Sequence, residues 1–324
     1  MAKPFRNYSK FILVFALLST ALSFVPALIA QSGGRGDPQP VSPLKAFAAS
    51  IISPSVPQLT SAMDIPAGSV VFANSGLSGS DSRAFGVFTT PPASMSFFPR
   101  EGTTFVIMST GLAASADDPD TNNSELVGTG AVNDDVSFAL DGINNSQIPG
   151  NDLARMSLEL DPPAGATSLS FDFAFYSEEF PDWIDKEFND AFIAEIGPAP
   201  FSSQMTIVGN EVNAPTNFAL DPNGDVISVN AAFGFNPAIP NPDTDTTYDG
   251  TSGLLTATAC VPPNLGANNL ILILSITDLG DSILDSAVFL DNFRWEANPN
   301  CEGGVEPVLE GSIHVTKCNR DRPS

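Results

Sequence analysis

Apolar residues alternate strictly with small or polar residues along several short stretches of this chain. In the clearest stretch every odd-numbered residue is apolar and every even-numbered one is serine, aspartate or alanine; the apolar members are Leu169, Phe171, Phe173 and Phe175. Successive side chains of a β-strand point to opposite faces of a sheet, so this spacing puts the four apolar side chains on one buried face. The alternation therefore predicts a β-strand with one buried face and argues against a helix.

Similar apolar runs recur from Gly68 onward, and the 28 prolines and 25 glycines fall mostly between them. This pattern predicts an all-β fold, specifically an antiparallel jelly-roll-like β-sandwich with long loops and at most one or two short helices. Glu178–Asn189 is the one helix-like segment. The predicted strands are Ser69–Ala73, Ala84–Thr89, Thr104–Ser109, Arg155–Leu160, Ser168–Tyr176, Ala191–Ile196, Val226–Asn230, Leu254–Val261, Leu270–Ile276 and Ser286–Trp295.

The first thirty residues have the features of a secretory signal. Three basic residues precede an apolar stretch from Phe11 to Val25, which is too short to span a bilayer comfortably, and Ala30 offers a small residue for cleavage. An uncleaved membrane anchor is the alternative. We expect the mature chain to be secreted or associated with the cell surface.

The rest of the chain divides by composition into three parts. Residues 31–62 are rich in serine, proline, glycine and alanine and are predicted to form a flexible linker. Residues 63–300 hold the strand-like runs and are predicted to form the sandwich domain. Residues 301–324 are either a tail that completes the sandwich or the start of a further β module.

Three cysteines are present: Cys260, Cys301 and Cys318. In an oxidising compartment two of them can form a disulfide, and we favour Cys260–Cys301 because both lie next to strand-like runs in the same half of the chain. A Cys301–Cys318 bridge is the alternative. Under the favoured pairing, Cys318 is free or bonded to another molecule.

The chain is strongly acidic, with a formal net charge of −24. The first thirty residues carry three basic residues and no acidic one, so a chain cleaved after Ala30 would have a net charge of −27. Such a charge repels nucleic acid and anionic membranes, and we expect neither as a partner. The acidic residues serve solubility or the binding of a hard cation such as calcium.

The residue types needed for common catalytic sites are scarce. His314, in the tail, is the only histidine, so nucleophilic triads lack a base and histidine-based zinc sites lack ligands. No phosphate-binding loop occurs. Paired carboxylates are present, which leaves glycoside hydrolysis as a less favoured alternative. We therefore expect a protein that is not an enzyme.

The acidic residues concentrate in two segments, each of which follows an apolar strand and leads into another. Calcium takes six to eight oxygen ligands, which carboxylates, amide oxygens and backbone carbonyls supply. Aspartate and asparagine also stabilise turns without any ion, which is the simpler alternative. We predict that the two segments form one calcium site, with the following ligands: Glu178, Glu179, Asn189, Asp190, Asp278, Asp281 and Asp285.

Aromatic residues near the acidic segments are candidates for ligand binding. Trp183 lies within the first segment, and an exposed aromatic ring can stack on a sugar. Tyr248 and Tyr176 are further candidates. Packing in the core is the alternative for Trp183.

The motifs of these segments resemble those of the choice-of-anchor L domain. The similar residues are Ser177-Glu178-Glu179-Phe180-Pro181 with Phe188-Asn189-Asp190, and later Asp278-Leu279-Gly280-Asp281 with Asp285-Ser286-Ala287-Val288-Phe289-Leu290. The likeness extends over about residues 65–296. It implies a β-rich module of exported bacterial surface proteins, and it implies no particular ligand. The ending Asn292-Phe293-Arg294-Trp295 departs from the family pattern.

Two functions follow as hypotheses. The first is a non-catalytic surface or matrix module, stabilised by calcium, that binds an extracellular glycan or protein in the manner of an adhesin. The second is a purely structural stalk or coat domain with no small ligand. Exposed aromatic residues beside the acidic segments would favour the first.

Overall fold

The structure is a computed structural model, and the residues that it describes are 51–79, 82–89, 97–117, 150–181, 183–208, 211–231, 239–240, 246, 248–263, 265, 268–280 and 284–308. The signal and most of the linker predicted from sequence, together with Cys318 and His314, lie outside them. Among the described residues, no helix is long and apolar enough to cross a membrane.

β-strands are the main regular secondary structure of the described residues. Four short 3₁₀ helices are also present: Ala67–Ser69, Phe72–Asn74, Ser82–Ala84 and Ala113–Asp117. The α-helix and the strands are, in chain order, β1 (Ile51–Ile52), α1 (Val56–Ala62), β2 (Gly76–Gly79), β3 (Phe85–Phe88), β4 (Phe105–Ser109), β5 (Gly150–Leu160), β6 (Ser168–Ser177), β7 (Ala191–Pro198), β8 (Thr206–Val208), β9 (Glu211–Asn213), β10 (Ile227–Ser228), β11 (Ile239–Pro240), β12 (Gly250–Thr251), β13 (Leu255–Cys260), β14 (Leu270–Leu279), β15 (Ser286–Glu296) and β16 (Gly304–Pro307).

The strands form two main antiparallel sheets. The larger sheet has the order β1-β3-β4-β15-β6-β12-β11, and β13 also pairs with β6 and carries β16 on its other side. The smaller sheet has the order β10-β7-β14-β5-β2. Strands β8 and β9 form a separate hairpin. This arrangement confirms the predicted all-β antiparallel sandwich.

The main core lies between the two sheets. Leu169, Phe171, Phe173 and Phe175 of β6 are fully buried there, as the alternation predicts. They meet the alternate residues of β14 from the smaller sheet: Leu270, Leu272, Leu274 and Ile276. Each such side chain contributes about 1.5–3 kcal/mol to folding when it is removed from water.

Strand β6 is buried on both faces, which the sequence did not predict. Its other face lies under a second apolar cluster, which we call the aromatic layer; its rings belong to Phe88, Phe98, Phe105, Tyr176, Tyr248 and Phe289. The ring centroids of Tyr176 and Phe289 are 4.4 Å apart. The small residue Ala174 on this face leaves room for the rings, so an alternating pattern here marks a strand between two apolar layers.

The predicted linker is wrong for residues 51–62. Strand β1 pairs with β3, and Leu59 of α1 is fully buried in the main core. The helix begins with a capping box, in which Ser55 N donates a hydrogen bond to Gln58 Oε1 at 2.9 Å. The domain therefore begins no later than residue 51. The serine- and proline-rich composition of residues 51–62 did not indicate the short helix that they contain.

Two secondary-structure predictions are also wrong. Glu178–Asn189 forms turns and bends in the described residues. Glu178 and Glu179 are buried, and Asp185 takes a left-handed conformation with φ of 61°, which a regular helix does not allow. Ser69–Ala73 contributes only a single bridge between Val70 and Leu160 and parts of two 3₁₀ helices. The predicted Val226–Asn230 strand shortens to β10.

The disulfide Cys260–Cys301 is present, with the two Cα atoms 5.7 Å apart. It joins the end of β13 to the segment between β15 and β16 across a sequence separation of 41 residues. A cleft of about 680 Å³ lies beside it, between the connections that leave β5 and β13. The disulfide therefore marks one end of the sandwich.

The opposite end is where two other connections cross between the sheets. Residues 178–190 run from β6 of the larger sheet to β7 of the smaller one, and residues 280–285 run from β14 back to β15. Ser177 pairs with Ser286, and Ala191 pairs with Thr277, so both crossings leave the same end. The antiparallel register thus brings the two acidic segments together.

A buried acidic cluster as the candidate functional site

The acidic residues predicted from sequence are buried rather than displayed on the surface. Asp281 lies outside the described residues. The other six each expose no more than 9% of their surface, and Asp190 exposes none: Glu178, Glu179, Asn189, Asp190, Asp278 and Asp285. Carboxylates are rarely buried this deeply unless they are paired or bind a cation. We call this group, together with Asp152, the acidic cluster.

Glu178 and Asp285 link the two crossing connections directly. Glu178 N donates a hydrogen bond to Asp285 O at 3.1 Å, and Asp285 N donates to Glu178 Oε2 at 3.4 Å. Thr110, just after β4, supports the same point: its hydroxyl donates to Asp285 Oδ1 at 3.5 Å and accepts a hydrogen bond from Ser286 N at 2.9 Å. Three segments of the larger sheet therefore position this pair.

Asn189 and Asp190 hold the neighbouring backbone. Leu279 N donates to Asp190 Oδ1 at 3.0 Å, and Asn230 N donates to Asn189 Oδ1 at 2.9 Å. These bonds tie the end of β14 and the turn after β10 to the start of β7. Asn189 thus has a structural role that does not depend on a cation.

Asp152 belongs to the cluster but was missed by the sequence analysis. It is 1% exposed and lies in β5 where the pairing with β14 shifts register, because the stretch from Asn151 to Ala154 faces the shorter stretch from Ile276 to Asp278. Such a bulge re-aims a side chain. Its φ of 46° is left-handed, which aspartate tolerates better than most residues. The predicted strand begins only at Arg155, whereas β5 begins at Gly150 and includes Asp152.

The electrostatics of the cluster centre on Asp285. Burial raises the pKa of its carboxyl well above the usual value, and the charges of Glu178, Asp152 and Asp190 raise the pKa further, while the Thr110 hydroxyl opposes them. Burial also raises the pKa of Tyr248, the Ser109 hydrogen bond lowers it, and Asp285 and Glu178 raise it. The cluster is therefore a site where negative charge is disfavoured unless a proton or a cation compensates it.

Gly111 leaves the space that the Asp285 carboxylate occupies. A Cβ atom on Gly111 would lie 2.0 Å from Asp285 Oδ2, which is far inside any allowed contact. Any side chain at this position would displace the carboxylate. The glycine is thus required by close packing at the centre of the cluster.

The cluster does not form a complete metal site by itself. Across the described residues, no three histidine, cysteine or carboxylate side chains converge closely enough to hold a metal ion. The donor set nevertheless suits a hard cation, since its groups are carboxylate, hydroxyl and backbone oxygens. A cation bound at this cluster would therefore need hydroxyl or backbone oxygens as ligands in addition to carboxylates.

Trp183 is the exposed aromatic residue of the acidic segments. It is 40% exposed, and its ring meets that of Phe188 edge to face at 5.0 Å. Trp183 N donates to Glu179 O at 2.9 Å. Gly280, at φ of +111°, lies under Phe188, where a Cβ atom would be 2.6 Å from the ring. The second acidic segment therefore supports the Trp183 ring through Phe188.

Tyr248 and Tyr176 do not form part of an exposed site, which corrects the sequence prediction. Tyr248 is 4% exposed and Tyr176 is fully buried, and both lie in the aromatic layer. The reason is that this layer covers the outer face of β6. Neither ring can stack on a ligand in solution.

The segment that departs from the family pattern has a structural role. Arg294 Nη1 donates to Asp172 Oδ1 at 3.0 Å, and Asn292 Nδ2 donates to Asp172 Oδ2 at 2.8 Å. Asp291 accepts hydrogen bonds from the backbone of Arg100 at 2.6 Å and of Asn292 at 2.6 Å, yet burial raises its pKa to about 7. This network ties Arg100 and Glu101 to β15.

Comparison with known proteins identifies one family. The family model described as the choice-of-anchor L domain matches residues 53–294, which include the whole acidic cluster and both crossing connections. No curated protein and no solved structure matches the chain.

Proposed function

Because the chain belongs to the choice-of-anchor L domain family, whose domains are surface-associated modules of exported proteins, we propose that it is a non-catalytic module that binds an extracellular glycan or protein. The observation that carries this proposal is the exposed Trp183 ring, which Phe188 contacts on one side and which follows the buried Glu178 and Glu179 in the chain. A rigidly held aromatic face loses little entropy when it stacks on a sugar ring or an apolar side chain.

The burial of the carboxylates supports a function other than catalysis. Each member of the acidic cluster is at most 9% exposed, so a polysaccharide cannot reach these carboxylates. A glycoside hydrolase needs two carboxyl groups that flank the scissile bond. Turnover of a polysaccharide that disappears on substitution of Glu179 or Asp190 would contradict this part of the proposal.

We expect Trp183→Ala to weaken ligand binding at least about tenfold, because a central aromatic contact often contributes 2 kcal/mol or more. The measurement is a glycan array with the secreted protein, followed by titration of the best binder. Phe72→Ala is a matched control, since Phe72 is 39% exposed and lies before β2, away from the acidic segments.

Equal binding by the Trp183 and Phe72 variants would show that the ligand binds elsewhere. No binding to any glycan or matrix protein by the wild type would favour the second hypothesis, a structural stalk or coat domain. The melting curves of both variants should match that of the wild type, because a half-exposed ring contributes little to folding.

Calcium is the cofactor that we propose for this module, bound where the two crossing connections meet. The supporting argument is electrostatic: a chain with a formal net charge of −24 concentrates buried carboxylates at one end of its sandwich. A divalent cation removes their mutual repulsion and joins two connections that lack regular backbone pairing. The concentration of extracellular calcium is on the order of 1 mM, so even a weak site would be occupied.

We expect a chelator to lower the melting midpoint of the wild-type protein. Binding to the folded form alone contributes about 2.7 kcal/mol when calcium is at a hundredfold excess over its dissociation constant. For a domain of this size that corresponds to roughly 5–10 °C. The measurement is a pair of melting curves, one with calcium chloride and one with EGTA. An unchanged midpoint would mean that the acidic residues act only in turns and packing.

A further inference from the structure

Asp285 has an oxygen atom whose environment points to a ligand. The residue is 3% exposed, and in the part of the chain that the structure describes its Oδ2 atom accepts no hydrogen bond. Buried acceptor atoms almost always have a partner, since an unsatisfied one costs about 1–3 kcal/mol. A cation is the partner that such an oxygen atom suits best when other carboxylates surround it.

The surroundings of Asp285 are anionic on several sides. The side chains that influence it are Glu178 after β6, Asp152 of β5 and Asp190 before β7, together with the hydroxyl of Thr110. Tyr248 adds a phenol next to the same pair. Among the described groups that act on Asp285 none is cationic. The four carboxylates come from three separate parts of the chain, which are β5, the connection 178–190 and the segment before β15, so only the folded protein assembles them.

We infer that one calcium ion binds at the Asp285–Glu178 pair, and that Asp152 and Asp190 strengthen its binding through their charges without both contacting it. The inference rests on the proposed calcium stabilisation and names its centre. Two direct carboxylates agree with the finding that no three such side chains converge among the described residues. Backbone carbonyls and water complete the coordination of calcium in many proteins.

This centre differs from the set predicted from sequence in two ways. It adds Asp152, which the bulge of β5 places beside Asp285, and it assigns Glu179, Asn189 and Asp278 to packing rather than to the ion. Gly111 borders the same centre, because the Asp285 carboxylate can occupy its space only next to a glycine. Oxygen donors favour calcium over softer metals such as zinc.

The test is calcium titration of the full secreted chain by calorimetry. We expect one site in the wild type, at least a hundredfold weaker binding in Asp285→Asn and Glu178→Gln, and about tenfold weaker binding in Asp152→Asn, because a single charge acts over several ångströms. Asparagine tolerates the left-handed backbone at position 152, so this variant keeps its fold. Asp161→Asn is the matched control, since Asp161 is exposed beside the cleft at the opposite end.

A second variant tests the centre without changing any charge. Gly111→Ala displaces the Asp285 carboxylate, and we expect it to weaken calcium binding at least about tenfold. Circular dichroism identifies any variant that fails to fold. In EGTA, Asp285→Asn should melt no lower than the wild type, since it removes a repelled charge. A residue needed only for packing would melt lower in both conditions.

Four outcomes overturn the inference. Wild-type affinity in Asp285→Asn, or an equal loss in Asp152→Asn and the Asp161→Asn control, would place the ion elsewhere while calcium stabilisation stands. Loss of binding in Asp278→Asn with retention in Asp285→Asn would centre the ion on Asp278 instead. A wild type that binds no calcium would refute the proposed calcium stabilisation and the inference together.

Discussion

Phe289→Ala is expected to destabilise the domain by about 3–5 kcal/mol, the range for truncating a buried phenylalanine to alanine. Phe289 is 1% exposed and lies at the centre of the aromatic layer. Its ring centroid is 4.4 Å from that of Tyr176, 5.6 Å from that of Phe105 and 6.2 Å from that of Tyr248. Truncation leaves a cavity between residues that belong to separate strands and connections, so the layer cannot close easily.

The measurement is a denaturant titration of the secreted protein, with Phe289→Leu and Phe72→Ala as controls. The leucine variant retains most of the volume and should lose less than half as much stability. Phe72 is 39% exposed, so its truncation should change stability by no more than about 0.5 kcal/mol. If Phe289→Ala loses no more stability than Phe72→Ala, the aromatic layer does not stabilise the fold and Tyr248 need not be buried.

Replacement of both Cys260 and Cys301 by serine is expected to cost about 4 kcal/mol, because the bridge closes a loop with a sequence separation of 41 residues. In the chain-entropy model, a disulfide stabilises the folded protein mainly because it restricts the unfolded chain. Both cysteines are half-buried, so the serine hydroxyls reach water and the substitution adds little further cost. The expected fall in melting midpoint is roughly 10 °C.

The test compares melting of the double variant with that of the wild type without reductant. Cys318→Ser should leave the midpoint unchanged, since it leaves the bridge intact. Peptide mapping of unreduced wild-type protein should yield Cys260 and Cys301 in one linked product. A double variant that melts within about 1 °C of the wild type would show that the bridge does not form or does not stabilise the secreted protein.

The strands were predictable because their signal is local. The alternation in Leu169–Phe175 predicts β6, and the apolar run at Leu270–Ile276 predicts β14. Both predictions fall within one to three residues of the observed bounds. Proline and glycine between the runs indicate turns for reasons that depend only on backbone geometry. Helix α1 was missed because seven residues with a capping box give too short a pattern within a segment rich in serine and proline.

The functional residues were predictable only in part. The two acidic segments were identified from composition, and the register of the sheets does bring them to one end of the sandwich. Burial was not predictable for the same residues, because loops rich in carboxylates are usually exposed. Tyr248 was interpreted as exposed since nothing near it in sequence reveals the aromatic layer that covers β6.

The sequence left Cys301–Cys318 open as an alternative to the Cys260–Cys301 bridge. It was sufficient, however, to predict an antiparallel β-sandwich and two acidic segments. Those properties follow from spacing along the chain. The folded structure was needed to show that Asp152 lies near Glu178 and Asp285, because a one-residue bulge in β5 sets the direction of its side chain. Contacts between distant segments depend on strand register and on packing across two sheets, and neither is encoded in a local pattern.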